Sequence, residues 1–366
     1  MTPMQRNVTV GYDARFSIGN YRGMGKFLRF LISGHEQEFI GLCADGEHDA
    51  SLKLVSGGFR FHPLWEQVSI PRLVAEYNID VLLAPYNTAP LWLPGEVRSI
   101  LVIHDLIYLE PLPLSISEYQ NLGRLYRRFL VPRIVSTAEH IITVSEYTKT
   151  QLVQQLGVPA GKIRVIPNTL GGEWFQQSAR WREPENYVFM VSGEAPSKNL
   201  QRAMTAFARY VELSGNQDCQ LKIAGVRPKS QAFFKSYGEK CGVGKRVELL
   251  PYISDKELMD LYRRAAVFMM PSLFEGFGIP VLEALAIGIP VVASKSASLP
   301  EVGGSAARYF DSTSVQEMAQ TLHEVLSNRC LQQEMSNQGV QQALKFHPKV
   351  VGERRDQFWN ELLQPN

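Results

Sequence analysis

The stretch that most limits what this chain can become runs from Ala265 to Gly288. Ala265-Ala266-Val267-Phe268-Met269-Met270 is an unbroken apolar run, the pattern of a strand buried on both faces of a parallel sheet. It passes into Pro271-Ser272-Leu273-Phe274-Glu275-Gly276-Phe277-Gly278-Ile279-Pro280. Gly276 and Gly278 predict a tight loop. Pro280 suits the first turn of a helix, where its missing N–H costs nothing. The helix is predicted through Val281, Leu282, Glu283, Ala284, Leu285 and Ala286, ending near Gly288. A buried parallel strand, a glycine loop and a helix start describe one unit of an open α/β sheet. The helix start offers unpaired N–H groups and partial positive charge to an anion such as a phosphate.

Two carboxylates bracket that anion site. Glu275 sits at the loop entrance and Glu283 about one turn into the helix. Carboxylates repel phosphate, so their natural partners are hydroxyls. A ligand with phosphates in its middle and hydroxyls at both ends is a nucleotide sugar, held by Glu275 at the sugar and by Glu283 at the ribose. Taken singly, the two residues leave a plainer alternative open. Glu275 then is a solvated loop residue, and Glu283 a first-turn glutamate favoured by the helix dipole.

The whole string decides more than its parts. E-G-F-G-I-P-V-L-E, with glutamates eight positions apart, resembles the E-x7-E motif of retaining GT-B glycosyltransferases. Ala284-Leu285-Ala286-Ile287-Gly288-Ile289-Pro290-Val291-Val292-Ala293 and Leu299-Pro300-Glu301-Val302 continue the likeness. The resemblance spans most of the chain and is densest from 187 to 310. It implies an α/β protein of two Rossmann-like domains facing a cleft: residues 1–172 for the acceptor and 173–346 for the nucleotide sugar. Residues 347–366 form a helix crossing back to the first domain. The implied reaction is metal-independent, retaining transfer of a hexose from a nucleoside diphosphate sugar to a hydroxyl. Lys198 and the amides of Gly276, Phe277, Gly278 and Ile279 would stabilise the departing diphosphate; Glu275 would position the sugar and Glu283 grip the ribose. No side chain is an obvious nucleophile.

The 366 residues suffice for two ordinary domains. Forty-five per cent apolar and 20 per cent charged is a globular composition, and a formal charge of +2 gives no bulk attraction for nucleic acid. Cys43, Cys219, Cys241 and Cys330 form no C-x-x-C pair and read as free thiols of a reducing compartment. The polar stretch 1–7, followed at once by a strand, predicts no signal peptide. No apolar run approaches the ~20 residues of a membrane span. The expected location is cytoplasmic, with peripheral contact on the inner membrane face left open. Neither D-x-D nor H-x-x-x-H occurs, so no metal is expected, and no cofactor beyond the donor substrate.

In the first half, strands are predicted over 8–12, 38–43, 59–62, 79–84, 99–103, 140–146 and 162–168. A glycine loop holding Gly19, Gly23 and Gly25 should precede a helix from Lys26 to Ile32. G-x-G alone is weak evidence for a dinucleotide. R-G-M-G-K-F looks like the acceptor-side G-I-G-R-Y loop of the same glycosyltransferases, with a plain tight turn as the alternative. A helix is predicted over 64–77, and Pro85-Tyr86-Asn87-Thr88 forms a loop on the carboxyl side of a strand, where ligands of parallel sheets bind. His104-Asp105 ends the next strand. An H-D pair at this place faces the transferred sugar in many family members, so His104 is the third candidate catalytic residue beside Lys198 and Glu275, with Asn87 and Asp105 on the acceptor side. The helix predicted over 117–136 carries Arg124, Arg127, Arg128 and Arg133. Two readings stay open for it: a solvated face, or contact with anionic lipid or a lipid pyrophosphate acceptor, as the resemblance implies.

Residues 171–185 are polar, break the pattern and read as the interdomain linker. The second half then predicts strands over 187–191, 221–225, 247–250 and 306–310, one helical region over 315–344 and a terminal helix over 347–363. Lys198, opening a helix after Ser192-Gly193-Glu194-Ala195-Pro196-Ser197, is placed to meet a phosphate. Here the chain departs from the family, which often has E-P-R before this lysine: no arginine lies between Val191 and Lys198. Arg227 and Tyr252 are candidates to flank the nucleotide base. Overall likeness to bacterial mannosyltransferases of surface-polysaccharide (lipopolysaccharide) assembly makes GDP-mannose the expected donor and a glycan or lipid-linked hydroxyl the expected acceptor. The alternatives are a catalytically silent GT-B subunit, towards which the missing arginine points, and a sugar-nucleotide epimerase of GT-B fold, which lacks this glutamate string.

Overall fold

The structure, a computed structural model, describes residues 8–19, 23–113, 118–176 and 183–363. The chain divides into two compact units. Residues 1–109, 122–169 and 351–366 form one, and residues 110–121 and 170–350 the other. The first unit holds strands β1 (Val10–Asp13), β2 (Ile40–Cys43), β3 (Leu54–Ser56), β4 (Val81–Ala84), β5 (Arg98–Ile103), β6 (His140–Thr143) and β7 (Ile163–Val165). The second holds β8 (Tyr187–Val191), β9 (Gln220–Ala224), β10 (Val247–Leu250), β11 (Val267–Met270), β12 (Val291–Ser294) and β13 (Ala307–Phe310).

Each unit is built on one parallel sheet. The orders are β3-β2-β1-β4-β5-β6-β7 and β10-β9-β8-β11-β12-β13. Strands covered on both faces must be apolar throughout, and β4, β11 and β12 are buried at every position. In each sheet the chain order reverses once, between β1 and β4 and between β8 and β11. The connections leaving two such strands depart to opposite faces of the sheet, which opens a crevice at the strands' carboxyl ends.

Each unit is thus Rossmann-like, as expected, and the last helix returns to the first. From Val351 onward the helix Pro348–Leu363 belongs to the first unit. Trp359 Nε1 donates to Leu31 O at 2.8 Å and Arg355 Nη1 to Phe30 O at 3.1 Å. Phe358 meets His140 edge-on at 5.9 Å.

Several local expectations change. The strand placed over 59–62 is instead β3, at Leu54–Ser56, paired with β2. Phe59 and Phe61 are exposed, and His62 opens a helix with Pro63 in its first turn. That helix continues through Trp65–Ser69, a π-helical segment, to Ile70–Glu76. Gly23 and Gly25 are not loop residues: they lie in the first turn of the helix Gly23–Leu31, which buries Phe27, Leu28 and Leu31. Asn20, Tyr21 and Arg22 of the expected loop lie outside the described residues. The single helix over 315–344 is two, Val315–Leu326 and Arg329–Leu344. The break falls at Asn328, whose side chain accepts from Leu331 N at 3.0 Å and so caps the second helix. Strand β12 was not anticipated. The 171–185 stretch contains a short helix, Gly172–Gln176, with Trp174 buried; 177–182 lie outside the described residues.

Candidate functional site

In the second unit, the loops leaving β8 and β11 meet beside the reversal of chain order. The β11 loop is held from several sides. Leu273 N donates to Ser197 O at 2.7 Å, tying it to the β8 loop. Ser294 Oγ donates to Ser272 O at 2.6 Å. Ser298 Oγ lies 2.9 Å from both Glu275 O and Phe277 O. Asn199 Nδ2 reaches Pro271 O at 2.9 Å and Ser312 O at 2.7 Å. Asn199 has φ 58°, the left-handed region that asparagine tolerates, and it turns the chain from the short Pro196–Lys198 turn into the helix Leu200–Ser214. Gly278 has φ 107°, and a Cβ there would stand 2.6 Å from Leu299 Cδ2. No other residue fits without strain.

This scaffold brings Lys198 and Glu275 together. Lys198 Nζ donates to Glu275 Oε1 at 2.7 Å. Immediately after Gly278 the helix Ile279–Ile287 begins, with Val281 N the first to bond back, to Gly278 O at 2.9 Å. The amides preceding it therefore have no partner inside the helix, the arrangement that receives an anion. Phe277 is buried, its ring packed edge-on against Phe346 with centroids 5.5 Å apart.

Glu283 is buried in the same helix, and Tyr262 OH donates to its Oε2 at 2.9 Å. Burial, reinforced by the neighbouring Glu283 charge, pushes the Tyr262 phenol well above its ordinary pKa, so it remains a donor. Sequence reasoning missed this tyrosine: one aromatic in an amphipathic helix gives no local signal. Arg227 and Tyr252 follow β9 and β10, whose ends are joined by Gly225 N and Val226 N on Leu250 O at 3.1 and 3.2 Å. Tyr252 is exposed. Arg227 Nε donates to Glu194 Oε1 at 2.7 Å. Burial works to raise the Glu194 pKa, but hydrogen bonds from Arg227, its own backbone and Ser230 hold it below the usual range.

In the first unit, His104 directly follows β5 and is buried. Its backbone N donates to Asn87 Oδ1 at 2.6 Å, and Nε2 lies 2.9 Å from Pro85 O. A carbonyl only accepts, so Nε2 carries the proton. Burial lowers the His104 pKa, opposed by the Pro85 hydrogen bond and Asp105, which leaves a neutral ring with Nδ1 as acceptor. Phe27, from the helix that contains Gly23 and Gly25, packs edge-on against it at 5.3 Å. Asn87, at φ 67°, is buried and braces the histidine backbone. Asp105 Oδ1 accepts from Ile107 N at 3.1 Å, capping the turn Ile107–Leu109. The arginine face of the helix Glu118–Thr137 is partly turned inward. Arg124 Nε reaches Tyr108 O at 3.2 Å and Arg128 Nη2 reaches Leu109 O at 3.3 Å, whereas Leu122, Leu125 and Phe129 are exposed.

A charged network at the carboxyl ends of β1 and β4 also went unread. Arg15 Nε and Nη2 grip Asp13 at 2.9 and 2.5 Å, and Trp65 Nε1 donates to Asp13 Oδ1 at 3.2 Å. Next to it, buried Glu66 accepts from Tyr126 OH at 2.6 Å and Thr88 Oγ1 at 2.5 Å. Burial raises the Glu66 pKa against those two hydrogen bonds. In sequence Glu66 looks like one more polar residue on a helix. Among the described residues, no group of three or more His, Cys, Asp or Glu side chains is placed to hold a metal ion, and no helix is long and apolar enough to cross a membrane.

Two Rossmann-like parallel-sheet units are the architecture of the GT-B fold, and with the matches that follow they make the chain a glycosyltransferase of that fold, moving a sugar from a nucleotide-sugar donor to an acceptor. Residues 173–342 match the family described as Glycosyl transferases group 1, and residues 31–170 match Glycosyltransferase Family 4. The chain is related to bacterial mannosyltransferases. It is 25% identical over 273 residues to O-antigen chain mannosyltransferase B of Escherichia coli, covering 71% of this chain and 70% of that one. It is 30% identical over 188 residues to O-antigen chain mannosyltransferase RfbU of Salmonella typhimurium, covering 51% of each. Against the mannosyltransferase WbdA of Escherichia coli, at 24% identity, 68% of this chain matches but only 32% of the relative is spanned. Sucrose-phosphate synthase from Thermosynechococcus elongatus shares the fold with a TM-score of 0.77 at 17% identity, over 98% of this chain and 99% of that one. HepE of Anabaena, solved with UDP and glucose, does so with a TM-score of 0.72 at 17% identity, over 97% and 100%.

Proposed function

We propose that the enzyme is a retaining mannosyltransferase that takes mannose from GDP-mannose and places it on a hydroxyl of a glycan or lipid-linked acceptor during surface-polysaccharide assembly. The observation that carries the site reading is the 2.7 Å contact between Lys198 and Glu275 beside the start of the helix Ile279–Ile287. A cation, a run of amides and a carboxylate in one place suit the charge pattern of a nucleoside diphosphate sugar. In the reaction, the bond from the sugar's anomeric carbon to the diphosphate oxygen breaks, and its electron pair goes to the phosphate. The acceptor oxygen bonds to the same face of that carbon, and the departing diphosphate takes the hydroxyl proton. Lys198 and the amides of Gly276, Phe277, Gly278 and Ile279 stabilise the charge that develops. Glu275 holds a sugar hydroxyl, Glu283 the ribose, and Arg227 and Tyr252 the base.

The first unit is assigned to the acceptor, with His104, Asp105, Asn87 and the helix start at Gly23 and Gly25 on that side. His104, neutral with Nδ1 as acceptor, suits a hydroxyl. The mannose assignment leans on the O-antigen mannosyltransferases among the relatives. Action at the cytoplasmic membrane face, with peripheral contact through the helix Glu118–Thr137, belongs to the same proposal. Thermal melting with GDP-mannose, GDP-fucose, UDP-glucose and UDP-N-acetylglucosamine tests the donor. A ligand at a hundredfold excess over Kd stabilises the fold by about 2.7 kcal/mol. The largest upward shift is expected with GDP-mannose, and a larger shift with a UDP sugar refutes that donor.

A further inference from the structure

The helix Ile279–Ile287 is buried at Val281, Leu282, Ala284, Leu285, Ala286 and Ile287, and Glu283 is the one carboxylate among them. An ionised carboxylate in such surroundings is costly unless it is hydrogen-bonded. Tyr262, from the helix Asp255–Arg264, donates to its Oε2 at 2.9 Å, with Pro280 O 3.2 Å from the same hydroxyl. The tyrosine ring has no room to swing. Phe189 meets it edge-on at 4.9 Å, Phe268 lies at 5.3 Å and Trp174 at 6.0 Å. The helix that carries it is anchored at its start by a reciprocal cap between Ser254 and Glu257.

The geometry points to Tyr262 as a positioning residue for donor binding: its caged hydroxyl fixes the rotation of the Glu283 carboxylate from beneath, so that the carboxylate is pre-set for the nucleotide ribose. This rests on the assignment of Glu283 to the ribose made above. A floppy carboxylate must be ordered at the moment of binding, and a pre-set one need not be. Trp174 gains a role from this. Lying in the stretch that reads as a linker, it closes the cage that holds the tyrosine ring.

The test is calorimetry of the full-length enzyme with GDP and UDP as probes, using Tyr262→Phe, Glu283→Gln and the double variant. Phenylalanine keeps the ring in its cage and deletes only the hydroxyl. A melting curve for each variant confirms folding. The expected result is about tenfold weaker nucleotide binding for Tyr262→Phe, as for a lost hydrogen bond to a charged group, with the loss in turnover falling on KM rather than kcat. The double variant should bind no more weakly than Glu283→Gln alone. If Glu283→Gln weakens binding and Tyr262→Phe does not, the positioning role is wrong while the ribose assignment stands. Additive losses in the double variant also overturn it, because Tyr262 then acts through packing. If Glu283→Gln binds as wild type, the ribose assignment fails, and the role of Tyr262 with it.

Discussion

Lys198 Nζ donates to Glu275 Oε1 at 2.7 Å, joining the loop that leaves β8 to the loop that leaves β11. These strands are neighbours, and the reversal of chain order falls between them. The lysine side chain is 29% exposed and the carboxylate 11%. Water reaches the pair from one side, so it contributes little to stability. It does hold two opposite charges within reach of one ligand. On the proposed assignment, a diphosphate arriving at the helix start would compete for the ammonium, and sugar hydroxyls would replace the ammonium at the carboxylate.

Lys198→Ala is therefore expected to leave the fold intact and to cut transfer by about 10²–10³-fold at saturating donor, the loss typical of one preorganised stabiliser of developing charge. No arginine precedes it in its loop, and Arg227 is engaged by Glu194. Lys198→Arg keeps the charge but changes its shape and should recover part of the rate. Turnover beside a melting curve for each variant decides the matter. A folded Lys198→Ala enzyme retaining more than about a tenth of wild-type turnover, against the loss expected for such a stabiliser, means that another cation serves the phosphate.

The two glutamates should separate by measurement. Glu283 lies in the helix under Tyr262, whereas Glu275 lies in the loop on Lys198. Glu283→Ala is expected to weaken binding of the bare nucleoside diphosphate by ~1.5–3 kcal/mol, the worth of a charge-assisted hydrogen bond. Glu275→Ala should leave that binding nearly unchanged and slow transfer. Calorimetry with the diphosphate alone checks both. The opposite pattern reverses the assignment.

What could be read from the sequence was what local chemistry encodes. The apolar run at Val267–Met270, the glycine at 278 and Pro280 each carry a backbone preference, and the strand, loop and helix stand where those preferences put them. Residues that act through distant partners were silent. Tyr262 lies 21 positions from Glu283 and Trp65 lies 52 from Asp13, and no window of sequence joins them. Ser298 carries no local signal, yet it supports two carbonyls of the β11 loop. The strand expected over 59–62 failed for a related reason. Phe59 and Phe61 alternate as strand residues do, but both point to solvent and Pro63 starts a helix behind them.

Transfer should not depend on a divalent metal. In the proposed site, Lys198 and the amides at the start of the helix Ile279–Ile287 would supply the positive field that a diphosphate needs. Rates measured in excess EDTA and in magnesium or manganese should agree. Loss of activity in EDTA, restored by added metal, sets the prediction aside.

The last prediction concerns acid stability and the cluster around β1. Burial, with help from Arg15 and Arg127, pushes the His62 imidazole from 6.5 down to about 4, against the pull of Asp13. Its folded form stays neutral where the unfolded chain takes up a proton, so His62 costs stability as pH falls from about 6.5 to about 4. Glu66 works in the opposite direction. Its pKa is raised from 4.5, chiefly by burial and also by Asp13, despite the hydrogen bonds from Thr88 and Tyr126 and the charge of Arg15. The folded protein then holds a proton that the unfolded chain has released, and stability returns as pH falls through that higher value. His62→Gln removes the first effect and keeps the second. Relative to wild type, the variant should gain stability across this window by up to ~1.4 kcal/mol per pH unit, with a constant difference above pH 7. Urea unfolding of both proteins at pH 7, 6, 5 and 4 measures it. Parallel stability curves would show that His62 protonates alike in the folded and unfolded states.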